Sequence, residues 1–112
     1  AEAYCNLGSY ASASADLVAL RKARGVGGSI SVTEDTWLDV IDDERVRELY
    51  MEGFRLQDLK RWNMGFERAP QTAAQEEGSS LKREAGDYRF VWPIPQNDIE
   101  APGSQIRQNM GY

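Results

Sequence analysis

Hydrophobic and polar positions fall into three regimes along the chain. From Ala1 to Arg24 the apolar residues recur at three-four spacing, the period of a helix face. Tyr10, Ala13, Leu17, Leu20 and Arg24 define one such face. Gly8 stands where a helix C′ residue belongs, so the spacing predicts a short helix over about 1–7 and a second over 10–24. The run Gly25-Val26-Gly27-Gly28 ends the second.

The middle regime mixes charge with core. Glu34 and Asp35 suit a helix start, Ser31 and Glu34 have capping-box spacing, and Thr33 is a competing N-cap. A third helix is predicted over 34–52, with Trp37, Leu38, Ile41, Arg45 and Leu49 as its stripe. Gly53 breaks it, since glycine costs about 1 kcal/mol inside a helix. A fourth helix follows over 55–62. From Glu44 to Arg61 acids and arginines sit beside Val46, Leu49, Tyr50, Phe54 and Leu59. A charge at the edge of a buried surface is tolerated only when paired. Glu44, Arg45, Glu48, Glu52, Arg55, Asp58 and Arg61 are therefore expected to form a structural latch between the third and fourth helices. Helical spacing offers Glu44 with Arg47, Arg45 with Glu48, and Arg55 with Asp58. Arg45, inside the apolar stripe, is expected to have a buried partner among Glu48, Glu52 and Asp58.

The last regime has no period. Residues 67–86 read as an exposed loop. Tyr88 to Pro95 is aromatic and extended, because Pro93 and Pro95 exclude a helix or a central strand. Gln96 to Glu100 can form one helical turn, and 88–112 as a whole reads as an irregular strap.

Composition narrows the function. Apolar residues make up 41% of the 112, enough for a core. The net charge of −5 gives no electrostatic footprint for nucleic acid. Histidine is absent, which removes the usual general base and the commonest metal ligand. Asp39, Asp42, Asp43 and Glu44 crowd one region, but a solvated helix face with structural ion pairs explains them better than acid–base catalysis. No calcium-loop, zinc or phosphate-loop spacing is present. No catalytic, metal or cofactor residues are assigned, and the chain reads as a non-enzyme. Cys5 reads as a small core residue near a helix end. Trp37 and Trp92 read as core, and Trp62 as a cover for a helix end. The sequence carries no membrane-spanning run. It opens directly in helical register without a cap, which predicts a fragment with more chain upstream.

Two resemblances follow from these motifs. Gly8-x-Tyr10-x2-Ala13-x3-Leu17-x2-Leu20 resembles the helix junction of a tetratricopeptide repeat. More specifically, Asp43-Glu44-Arg45-Val46-Arg47-Glu48-Leu49, Glu52-Gly53-Phe54-Arg55 and Asp58-Leu59-Lys60-Arg61-Trp62 resemble the C-terminal signature of the SusD/RagB family. Trp92-Pro93-Ile94-Pro95-Gln96-x-Asp98-Ile99 and Gln108-Asn109-x-Gly111-Tyr112 are similar to that family's closing motifs, with Asp98 where Glu is common and Met110 where Pro is common. Ala1-Glu2-Ala3-Tyr4 with Leu7-Gly8 is similar to its repeat helix.

The resemblance implies a mostly α fold of tetratricopeptide-like helix pairs closed by an irregular C-terminal strap. The chain would be the C-terminal part of a larger α-superhelical protein. It also implies a non-enzymatic lipoprotein of the outer-membrane surface in Bacteroidetes-type bacteria. Such a protein binds oligosaccharide or another nutrient and passes it to a TonB-dependent transporter. It would touch the membrane only through a lipid anchor outside this chain, and it would bind no nucleic acid. The family's motifs here carry no ligand site, so no ligand-binding residue is transferred. The competing reading is a cytoplasmic tetratricopeptide-type scaffold for protein partners. It leaves the Trp92-to-Pro95 segment unexplained.

Overall fold

The computed structural model describes residues 1–70, 72 and 80–112. The chain is mostly helical and divides into two units, Ala1–Gly53 and Phe54–Tyr112.

The first unit holds α1 (Glu2–Asn6), α2 (Tyr10–Ala23) and α3 (Trp37–Glu48). Gly8 takes φ +72°, a left-handed conformation open to glycine at little cost. There the N–H of Ser9 reaches the carbonyl of Tyr4 at 2.8 Å and that of Gly8 reaches Cys5 at 2.9 Å. This Schellman pattern closes α1. The same pattern ends α2, with Val26 donating to Arg21 at 2.8 Å and Gly25 to Lys22 at 3.1 Å. The chain therefore reverses after each helix, and α1 packs on both α2 and α3. Cys5, Ala13, Leu17, Val32 and Ile41 are buried at the centre. Ala13 is fully inaccessible. Burial also raises the Cys5 thiol above its ordinary range, as suits a packed core cysteine. The connector is tied down where the N–H of Val32 donates to Ser14 Oγ at 3.0 Å.

α3 is shorter at both ends than the spacing predicts. Residues 34–36 form a turn in front of it, and Thr36 rather than Ser31 or Thr33 is its N-cap. The hydroxyls of Thr33 and Thr36 lie 2.9 Å apart, and the N–H of Trp37 donates to the Thr33 carbonyl at 3.0 Å. Hydroxyls bonding locally favour such a turn over a helical start. At the other end Met51 takes φ +65°, and the helix stops at Glu48 before Gly53 is reached.

The second unit begins with α4 (Arg55–Arg61). Asn63, at φ +51°, ends it in a third Schellman pattern, with Met64 donating to Leu59 at 2.8 Å. Two short strands follow, β1 (Phe66–Glu67) and β2 (Lys82–Arg83), paired antiparallel with Phe66 opposite Arg83 and Glu67 opposite Lys82. The expected loop over 67–86 is thus rooted in a ribbon. Strands of two residues carry no alternation for a sequence pattern to register. The middle of that loop, residues 71 and 73–79, lies outside the described residues.

The strap opens with a 3₁₀ turn, Tyr88–Phe90, and contains one short helix, α5 (Gln96–Ile99), where a single helical turn is expected. Side chains rather than a strand ladder fasten it. Gln108 accepts from the N–H of Ile94 at 2.8 Å and donates to the Ile94 carbonyl at 2.9 Å. Asn109 donates to the Trp92 carbonyl at 2.7 Å, and the Tyr112 hydroxyl donates to that of Val91 at 2.8 Å. Tyr88 and Tyr112 meet edge to face, 5.0 Å between centroids. The expectation that Trp92 is core is corrected here, because its side chain is 81% exposed. The bonds that hold this segment run through its backbone, so they fix Trp92 without burying its ring. Among the described residues of this unit, Leu59 and Phe90 are the buried apolar ones.

Candidate functional site

Each unit carries a cluster of charge on an apolar base. In the first unit, three- and four-residue steps along α3 place Ile41, Glu44 and Glu48 on one face. Matching steps on α2 align Leu17, Arg21 and Arg24. Ile41 and Leu17 form the buried base. Above it Arg21 Nε donates to Glu44 Oε2 at 2.8 Å, and Arg21 Nη2 stands 2.6 Å from the same oxygen. Arg47 Nη1 approaches that oxygen to 3.7 Å. One step further out, Arg24 Nε donates to both oxygens of Glu48, at 3.0 and 3.1 Å, and its Nη2 also bonds Oε1. The hydrogen bond from Arg24 comes first among the causes that lower the Glu48 carboxyl below its ordinary range, and the same bond raises Arg24.

These contacts place the expected latch residues. Glu44 is buried at 9% exposure and Glu48 is half-buried, both held by α2. Arg45 is half-buried and, with Leu20 and Leu49, lines an open cavity of about 380 Å³. Glu52 and Arg55 are exposed. Asp58 is buried at 4% exposure, its Oδ1 accepting from Arg61 Nε at 3.0 Å. Arg61 also lies 4.0 Å over the Trp62 ring. The expected spacing of Glu44 and Arg47 is seen only as the long contact. Arg21 and Arg24 are the residues that spacing within one helix does not reveal. Their trace in the sequence is that they continue the α2 stripe past Leu17 and Leu20, where charge should be facing a partner.

In the second unit α4, β1 and β2 surround a cleft of about 610 Å³. Leu56, Leu59, Phe66 and Phe90 line it together with Arg55, Arg68 and Arg83. Phe66 and Phe90 meet edge to face at 6.4 Å. Nearby, Asp87 is held well below the usual carboxylate range, first by the Arg89 guanidinium at 2.6 Å and then by the backbone N–H of Arg89.

Among the described residues no group of three or more His, Cys, Asp or Glu side chains could hold a metal ion. None of their helices is long and apolar enough to cross a membrane. Glu44, Glu48, Asp58 and Asp87 are each ion-paired with an arginine.

Helix hairpins with an irregular closing strap define a mostly helical class of protein. The particular kind is shown by comparison: the chain matches the SusD family over residues 1–112 and belongs to it. That family binds glycans and other nutrients at the outer membrane without enzymatic activity. No curated protein and no solved structure matches the chain.

Proposed function

We propose that this chain is the C-terminal part of a larger non-enzymatic, lipid-anchored binding protein of the outer-membrane surface. That protein captures oligosaccharide and hands it to a TonB-dependent transporter. The observation that carries the reading is the family match along all 112 residues, strap included. The ion-paired helices agree with a scaffolding task for this region. Glu44, Arg45, Glu48, Glu52, Arg55, Asp58 and Arg61 are structural in this reading, with Arg21 and Arg24 as the counter-charges of Glu44 and Glu48. Sugar capture would rest on aromatic stacking and hydrogen bonds to hydroxyls. A cytoplasmic protein-interaction scaffold gains no supporting observation.

The test is a polysaccharide and oligosaccharide array probed with the full-length protein, followed by co-purification from outer membranes. Retention on at least one glycan and recovery with a TonB-dependent transporter are expected. Failure to retain any glycan would sink the oligosaccharide reading.

A further inference from the structure

The cleft of the second unit is lined by Arg83, whose charge also acts on Asp87, a carboxylate already hydrogen-bonded by Arg89. Arg83 is half-buried on β2, yet its guanidinium makes no hydrogen bond or ion pair among the described residues. A guanidinium withdrawn from water without an acceptor is costly, and a ligand that supplies a carboxylate recovers that cost. Phe66 lies directly opposite Arg83 in the ribbon, so the two side chains share one face. Below that face the base of the cleft is Leu56, Leu59 and Phe90. Arg55 and Arg68 add positive charge to the lining, and Arg68 Nη2 also ties the ribbon mouth by donating to the Ser80 carbonyl at 2.9 Å. Among the described lining residues the acid is Glu67, with Lys82 Nζ at 3.7 Å from its carboxylate.

We propose that this cleft binds an amphipathic carboxylate, an apolar chain or ring ending in –COO⁻, with the carboxylate on Arg83 and the apolar body against Phe66 and Leu56. Its volume, about 610 Å³, lies in the range of small-molecule sites. A neutral sugar fits the lining poorly. It carries no charge to set against Arg55, Arg68 and Arg83, whereas a carboxylate does. Two sources share the required chemistry, an apolar acid and an N-acylated apolar amino acid.

The test is calorimetric titration of the full-length protein with 3-phenylpropionate, with N-acetyl-phenylalanine, and with the primary amide of each. At least one acid binds, its amide binds about tenfold more weakly or worse, and affinity falls with added salt. Arg83→Gln lowers affinity for that acid by about tenfold, Arg83→Lys by less, with far-UV circular dichroism unchanged. Whichever acid binds more tightly identifies the source. Equal binding of acid and amide, binding of neither acid, or full affinity in a folded Arg83→Gln protein overturns the proposal. The wild-type acid–amide comparison decides the matter even where the variant does not fold. Glycan retention by the same protein reads the wider function separately.

Discussion

Arg21 on α2 and Glu44 on α3 lie 23 positions apart in sequence, yet their charged atoms meet at 2.6 Å over the buried pair Leu17 and Ile41. Removing one partner of such a pair leaves the other charge partly desolvated, which costs more than the pair gains. Arg21 keeps some solvent contact, so the cost is discounted from the fully buried case. Glu44→Ala is expected to destabilise the full-length protein by about 2 kcal/mol. Asp43→Ala and Arg47→Ala should each change stability by less than about 0.5 kcal/mol, because both side chains of that pair are more than half exposed. Arg45→Ala, at a half-buried position, should fall between them. Thermal melts followed by circular dichroism check the order, and equal effects at 43 and 44 would defeat the structural role given to Glu44.

Glu48 sets a pH dependence. Its carboxyl is lowered in the folded protein by Arg24, so the ionised form is favoured there relative to the unfolded chain. A depressed carboxylate adds stability above its unfolded pKa, about 4.3, and loses that contribution as pH falls through the lower folded value. Stability should therefore decline on acidification below about pH 4.3, and Glu48→Gln should flatten that part of the curve. Asp87 acts in the same sense through Arg89. Urea titrations from pH 6 downward test this. An acid slope unchanged in the Glu48→Gln, Asp87→Asn double variant would count against both assignments.

Two glycines are set by close approach. A Cβ on Gly65 would stand 2.2 Å from the Arg83 carbonyl oxygen, and one on Gly111 would stand 2.5 Å from the Tyr88 ring at a backbone φ of +99°. Either substitution to Ala forces backbone or ring to move, at about 1–3 kcal/mol. Gly103→Ala is the control: φ is +80° there too, but the space is open. It should cost less than either. Melting temperatures of the three variants give the comparison.

The strap depends on Gln108. Gln108→Leu removes both bonds to Ile94 and leaves its N–H and carbonyl without those partners. A loss of about 1–2 kcal/mol is expected, concentrated in the strap. Hydrogen exchange at the Ile94 amide should accelerate while exchange at Leu17 stays slow. Trp92→Ala should leave stability nearly unchanged, since its ring is mostly in solvent. Uniform acceleration at both amides would show that the clasp is not local.

The sequence by itself determined α1, α2 and the body of α3, because a repeating apolar face and a glycine at C′ are local signals. It also determined the family, whose motifs run in order from the first helix to the strap. It marked Glu44 to Arg61 as a place where charge borders core. Tertiary structure alone decided what those charges meet. Spacing along one helix reports only neighbours three and four residues away, so it offers Arg47 to Glu44 and is blind to Arg21 and Arg24 on another helix. The ribbon at 66–67 and 82–83 was hidden for a related reason: its pairing joins residues far apart in sequence through strands too short to show a period. Trp92 was misjudged because an aromatic between apolar neighbours looks like core. Its backbone is instead held by Asn109 and its neighbours by Gln108 and Tyr112, and those bonds exist only once the end of the chain has folded back.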